Sequence, residues 1–266
     1  MPATPAWPPR SAPRLFVDIA LAEGLVLPLD GPQAHYLLRV MRAAPGDAVV
    51  LCDDLTGEWA GEVEQAGKRD LTLRILRLLR AREQVPDLWL CPALLKKDRF
   101  DLVLEKATEL GVRRIAPVLT RRCVADRLNP ERARHIVVEA AEQCARTALP
   151  ELAAPAKLEA LLRDWPAERA LFFADEQGGE PAAAAFAAPT FTNSAGPAAI
   201  LIGPEGGFDD AERLAVRQLP QARPISLGPR ILRGETAALA AVALWMGTAG
   251  DWRPAQIALA SPAASA

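Results

Sequence analysis

Histidine is scarce in this chain, with 2 in 266 residues, and the four cysteines, Cys52, Cys91, Cys123 and Cys144, form no C-x-x-C pair. Neither a zinc site nor a disulfide framework is indicated, so no metal is expected. Long apolar runs are missing too. The uncharged stretch from Pro181 to Pro204 is broken by Pro189, Asn193 and Pro197, and the run from Thr236 to Gly250 is too short to cross a bilayer. The proline-rich start, MPATPAWPPRSAP, lacks the apolar centre of a signal peptide. A cytoplasmic protein with no membrane partner is the expectation. Phosphate-binding glycine patterns are absent as well. LIGPEGGFDDAE, residues 201–212, has the outline of a nucleotide-binding turn, yet its glycines fit neither G-x-G-x-x-G nor G-x-x-x-x-G-K-S/T. Glu205, Asp209 and Asp210 would also face a polyphosphate with acid where it wants donors. A ligand with little or no negative charge fits better.

What is present is a chain that is 50% hydrophobic, enough to bury a sizeable core in one large or two smaller domains. The net charge of −2 gives no hint of nucleic acid, but its distribution does. Residues 113–134 hold Arg113, Arg114, Arg121, Arg122, Arg127, Arg132 and Arg134 against only Asp126 and Glu131. Such a run is either a solvated face or a set of phosphate contacts.

Two patterns follow one another along the chain. Residues 14–80 read as short strands, RLFVD, GDAVVLCDD, EWAGEVEQ and DLTLRILRL, with a short helix over AHYLLRVMR; a small β-barrel is the natural product. After RAREQVPD, residues 80–87, strands alternate with helices. LWLCPALL, RIAPVL, ALFFAD, AAILIG and PISLG read as strands. Helical spacing places Phe100, Val103, Leu104 and Ala107 on one face, with Asp98 as a candidate N-cap. Asn129-Pro130 opens a longer helix with an apolar stripe of Ala133, Ile136, Val137, Ala140 and Cys144. A further helix starts at Asp209, with Glu212 at the capping-box position, and the last runs from about Glu235 to Met246. This alternation predicts a mainly parallel sheet covered by helices on both faces.

Ligands of such sheets bind beyond the carboxyl ends of strands. Two loops occupy that position, GPEGGF at 203–208 and LGPRILRGET at 227–236, and both begin with Gly-Pro. Either loop alone reads as an ordinary turn; as a pair they are also suited to offer backbone groups to an adenine ring between apolar walls, here Leu201, Leu227, Ile231 and Leu232.

These loops resemble the cofactor-binding motifs of the SPOUT methyltransferases, and more closely those of the ribosomal RNA small subunit methyltransferase E family. RLFVD at 14, HYLLRVMRAAPGD at 35, KKDRFDLVLEKATELGV at 96 and VVEAAEQCARTALPEL at 137 extend the resemblance over nearly the whole chain. It implies an α/β fold with a trefoil-knotted SPOUT domain at 81–250, after a PUA-like β-barrel at 14–80. The proline-rich start (1–13) and the tail (251–266) lie outside it, and both are expected to be poorly ordered.

The family methylates N3 of a uridine in 16S ribosomal RNA. The implied partners are therefore that RNA or the small ribosomal subunit and a second copy of the chain in a homodimer. The implied cofactor is S-adenosylmethionine, which has no phosphate and carries a sulfonium cation. Carried over by motif, its contacts are Leu201, Gly203, Pro204, Glu205, Gly206, Leu227, Gly228, Ile231 and Leu232. At 100° per residue His135, Glu139, Gln143 and Arg146 share one helix face, either solvated or lining the active site. Arg233 or Arg146 is expected to stabilise the uracil anion, with Glu139 or Glu205 accepting its proton; Arg121, Arg122, Arg127 and Gln143 are candidate RNA contacts. Arg122, Cys123 and Gly234 depart from the family's usual residues. Another RNA target, a ribose 2′-hydroxyl or a transfer RNA, and a non-catalytic ribosome-assembly factor are the competing readings.

Overall fold

A computed structural model describes residues 7–188 and 196–252; of the termini expected to be poorly ordered, 1–13 and 251–266, residues 1–6 and 253–266 lie outside the described residues, whereas 7–13 are held in place, with Ala12 N–H on Pro9 O at 2.9 Å and Val50 N–H on Pro13 O at 2.8 Å. The chain divides into two units, one of residues 1–84 with 141–149, the other of 85–140 with 150–266.

In the first unit the strands are β1 (Arg14–Phe16), β2 (Val26–Leu29), β3 (Ala48–Cys52), β4 (Gly57–Ala66) and β5 (Leu71–Ala81), in the order β1-β3-β4-β5-β2. Both edge strands feed one core. Leu15 from β1 and Leu27 and Leu29 from β2 pack with Leu51, Val63, Leu73 and Ile75, so the sheet curls around a single apolar interior. Register shifts between β4 and β5, at Glu58/Trp59, Ala60/Gly61 and Val63/Gln65, give the extra twist that such curling needs. The predicted helix is α1 (Gly31–His35) continued by a π-turn over Tyr36–Val40, and it buries Ala34 and Leu37 against the strands.

The second unit is built on a seven-stranded sheet. Its strands are β6 (Leu88–Pro92), β7 (Arg114–Ile115), β9 (Glu151–Leu152), β11 (Ala170–Ala174), β12 (Glu180–Pro181), β13 (Ala198–Ile202) and β14 (Ala222–Ser226), ordered β12-β14-β11-β13-β6-β7-β9 with every pairing parallel. Two short strands, β8 (Val118–Leu119) and β10 (Ala156–Lys157), pair separately.

Alternate residues serve opposite faces. Leu171, Phe173, Ala199 and Leu201 pack with Leu158 of α4 (Leu158–Arg163) and Val216 of α6 (Asp210–Gln218). Phe172 meets Phe186 of α5 (Ala182–Phe186) edge to face, with ring centroids 4.9 Å apart, on the side that also carries α2 (Lys97–Glu109) and α7 (Gly234–Thr248). Helices therefore cover both faces, as the apolar strands require.

Local details depart from the predicted ones in instructive ways. The N-cap of α2 is Lys96, without a side-chain bond, and Asp98 sits in the first turn, where its charge still favours the helix N-terminus. The cap of α6 is as predicted: Asp209 accepts from Glu212 N–H at 2.7 Å and Glu212 accepts from Asp209 N–H at 3.1 Å. Helix α3 (Pro130–Gln143) buries Ala133, Val137, Ala140 and Ala141, whereas Cys144 is exposed because the helix has already ended.

Candidate cofactor-binding site

Strands β14, β11 and β13 are neighbours, so three loops leave the sheet side by side at its carboxyl edge. They enclose a cavity of about 210 Å³ lined by Ala174–Glu176 and Gly178, by Ile202–Glu205, Gly207 and Phe208, and by the stretch from Ile225 to Leu232. Gly234 and Ala237, at the start of α7, complete the wall. Two turns require left-handed backbone, Gly207 with φ +64° and Gly228 with φ +108°; the latter lies where a side chain is hardly tolerated.

The walls are apolar and the rim is acidic. Ile202, Phe208, Ile225, Leu227 and Leu232 surround the space, and Asp175, Glu176 and Glu205 border it. Asp175 is fully buried and already committed, 3.1 Å from Arg213 Nε and 2.6 Å from Arg217 Nη2. Glu205 accepts from Arg99 Nη1 at 2.8 Å, while Arg99 Nε lies 3.8 Å from Glu235 Oε1. The other oxygen of Glu235, Oε2, is buried without a hydrogen-bond partner among the described residues. Arg230 is the only cation lining this cavity among the described residues. Such a donor set is poor for a polyphosphate and suits a nucleoside carrying a positive centre. Among the described residues, no cluster of three His, Cys, Asp or Glu side chains is placed to hold a metal ion.

Most of the predicted cofactor contacts converge. Gly203, Pro204, Glu205, Leu227, Gly228, Ile231 and Leu232 all line the cavity, with Ile231 94% exposed at its mouth. Two do not. Leu201 points to the opposite face of β13 and is buried in the core beside Phe173 and Val216, so its neighbour Ile202 takes the lining position. Gly206 faces Arg122, whose Nη1 donates to the Gly206 carbonyl at 2.7 Å. The loop after β11, Ala174–Gly178, was not anticipated. Its signal is in the sequence: ALFFAD reads as a strand, and any strand of a parallel sheet has a carboxyl end.

The proposed catalytic residues are scattered. Arg233 is exposed at the N-cap of α7, between the lining residues Leu232 and Gly234. Glu139 and Gln143 are exposed on α3 and lie outside the lining of this cavity; Glu139 lies 3.6 Å from His135. Arg146 is no longer on that helix face. After Gln143 the chain turns through Ala145, φ +59°, and Arg146 N–H bonds Ala141 O at 3.0 Å, the closing bond of a Schellman motif. Its side chain is buried in the first unit, bonded to the Ala148 carbonyl, and burial pulls its pKa down to about 10.

The arginine run is mostly engaged. Arg121 holds Asp209 at 2.8 Å and donates its backbone N–H to Glu212, also at 2.8 Å. The Glu212 N–H, then Arg121, keep the Asp209 carboxyl below the usual carboxylate range. Arg114 lies over the Trp89 ring, 4.4 Å from its centroid, and Arg132 grips Asp101. Arg127 is 91% exposed.

Comparison with known proteins adds to this geometry. A family model for an RNA methyltransferase domain matches residues 82–246, and one for an RNA methyltransferase PUA domain matches residues 29–76. The chain is 30% identical over 231 residues to the ribosomal RNA small subunit methyltransferase E of Rickettsia conorii, covering 86% of this chain and 93% of that protein. With the protein of the same name from Mycobacterium tuberculosis the identity is 31%, over 85% of this chain and 88% of the relative. A crystal structure of ribosomal RNA small subunit methyltransferase E from Neisseria gonorrhoeae bound to S-adenosylmethionine superposes with a TM-score of 0.80 at 26% identity, covering 91% of this chain and 100% of that one. A Legionella pneumophila methyltransferase with the same cofactor bound also gives 0.80, at 28% identity over 90% of this chain and 99% of that one.

Proposed function

We propose, from the premise that this chain belongs to the ribosomal RNA small subunit methyltransferase E family, that it transfers the methyl group of S-adenosylmethionine to N3 of a uridine in 16S ribosomal RNA. The observation that carries this reading is the single cavity formed by the loops after β11, β13 and β14, apolar inside and acidic at the rim. Relatives with the same fold have been solved with this cofactor bound.

When bound, the cofactor supplies an electrophilic methyl group on a sulfonium cation. Backbone groups of Gly203, Pro204 and Gly228 would hold the adenine between Ile202, Leu227 and Leu232. Carboxylates at the rim tolerate the positive sulfur. As the N3–CH3 bond forms, the S–CH3 bond breaks with its electron pair passing to sulfur, and the N3 proton leaves to a base. Glu205, at the cavity and oriented by Arg99, is better placed for that proton than Glu139 on the exposed face of α3. Arg233 faces the developing uracil anion. Holding the reactants in line supplies about 7–11 kcal/mol, so the reaction needs no metal. The same reading includes the knotted path, a homodimer and a cytoplasmic location.

The test is nucleoside mass spectrometry of 16S RNA and small subunits incubated with the protein and S-adenosylmethionine. The expected product is 3-methyluridine. A 2′-O-methylated nucleoside, or no product with competent RNA, would overturn the assignment.

A further inference from the structure

A second cavity, of about 640 Å³, lies between α2 and the start of α3. Leu95, Phe100, Leu128 and Ala133 give it apolar walls, while Lys97 and Arg127 stand at its edge. Arg132 also lines it, but its charge is engaged by Asp101, 3.1 Å from Nε. Glu131 is a further acid there. Lys97 forms no ion pair among the described residues, and Arg127 has only the exposed Asp126 at 3.5 Å. The two cations left to act are therefore Lys97 and Arg127. Asn129 spends its Oδ1 on Arg132 N–H at 3.0 Å, so the amide N–H2 is the group it can offer.

This space adjoins the cofactor cavity through two structures. The first is a wall: Leu95 lines the second cavity, Gly234 lines the first, and a Cβ added to Gly234 would stand 2.9 Å from Leu95 Cδ2. Glycine at 234, having no Cβ, permits that approach. The second is the loop 121–129. Arg121 and Arg122 bond Glu212 and Gly206, at and beside the cofactor loop, whereas Ala125, Arg127 and Leu128 line the second cavity.

We propose that the second cavity receives the target pyrimidine nucleotide of the RNA, extruded from its stack, with the base against Leu95, Phe100 and Leu128 and the flanking phosphates on Lys97 and Arg127. This rests on the function proposed above. An enzyme acting on a base edge that pairing hides must take the base out of the stack, and methyl transfer needs both reactants side by side. Apolar walls accept the faces of a pyrimidine, the Asn129 amide offers donors to a uracil carbonyl, and the exposed cations complement phosphate. Arg127, one of several arginines indistinguishable in the sequence, is here singled out by its place at the cavity.

Two variants and one crosslink test the proposal. Ala125→Trp fills the cavity from a loop and is expected to lower kcat/KM for RNA about tenfold, while S-adenosylmethionine binding by calorimetry stays within about twofold of wild type. Arg127→Glu, at a surface position with little bearing on folding, is expected to raise the KM for RNA and to reduce the slope of log KM against log salt by about one. A 16S transcript carrying 4-thiouridine should crosslink to peptides spanning residues 94–101 or 124–133. Crosslinks only elsewhere, or unchanged RNA kinetics in both variants, would overturn the subsite with the methyltransferase reading intact. A shift of oligomeric state in Ala125→Trp by light scattering would assign the cavity to a second copy of the chain instead. A wild-type protein that neither binds the cofactor nor methylates RNA would sink the functional reading itself.

Discussion

Arg233 and Asp53 show how differently single side chains contribute. Arg233 is exposed at the N-cap of α7 with no side-chain cap bond, so its removal costs the fold little. If it stabilises the uracil anion, Arg233→Ala lowers kcat by about 10²-fold, the usual effect of losing one well-placed donor, and leaves the cofactor Kd unchanged. Full methyl transfer at saturating cofactor would remove it from the mechanism. Asp53 is the opposite case. Its carboxylate accepts from Leu21, Leu55, Thr56 and Gly57 N–H at 2.8–3.2 Å and from Thr56 Oγ1 at 2.6 Å, closing the turn between β3 and β4. Burial raises its pKa, but the bonds from Thr56, Leu21 and Leu55 outweigh burial and hold it below the usual carboxylate range. The stability it contributes is therefore complete above the unfolded value of about 3.9 and is lost as pH falls through the lower folded value. Asp53→Ala should cost roughly 2–3 kcal/mol in urea unfolding at pH 7 and flatten the acid limb below pH about 4. An unchanged acid limb would show that the carboxylate is not the titrating group.

At the level of elements, the cavity depends on turns more than on helices or strands. Gly228 has φ +108°, yet a Cβ built there meets nothing within 4 Å. Its substitution is therefore a test of backbone conformation, free of steric clash with neighbours. Gly228→Ala should strain or rearrange the loop by about 1–3 kcal/mol, which weakens cofactor binding about tenfold for each 1.4 kcal/mol. Calorimetry showing wild-type affinity would mean that the turn does not need its observed conformation. Both Gly-Pro loops were legible because glycine and proline announce turns. The third loop is legible as a strand end, but its place beside the other two is not. Its strand, β11, lies between β13 and β14 in space but precedes both in sequence, and only the strand order reveals that. Strand β2 escaped notice because Pro28 weakens a strand pattern, and the structure places β2 at the sheet edge where proline is tolerated. The end of α3 escaped because its left-handed residue is Ala145, not the glycine that marks such turns.

Across the whole molecule, neither charge nor connectivity could be judged from a local window. The arginines of residues 113–134 find acids far along the chain: Arg113 near Asp87, Arg114 near Glu151, Arg121 on Asp209 and Arg132 on Asp101. A run that looked like one basic patch is largely spent on internal pairing, and Arg127 stands out only in three dimensions. Connectivity carries the last prediction. The first unit takes a second segment, residues 141–149, from the middle of the chain. Within that unit Phe16 N–H donates to Glu142 at 2.8 Å, Thr147 N–H to Glu83 at 2.6 Å and Leu149 N–H to Asp54 at 2.8 Å, while Arg146, Thr147 and Ala148 are buried. Cutting the chain between Gln84 and Val85 would therefore leave residues 1–84 bound to the segment without a covalent link. A protease site inserted there should give two pieces that co-elute in native size-exclusion chromatography and separate only in denaturant. These bonds are part-buried, and together with the burial of Arg146, Thr147 and Ala148 they should keep the assembly intact on dilution to micromolar concentration. Release of the 1–84 piece after cleavage, without denaturant, would show that the segment does not hold the unit together.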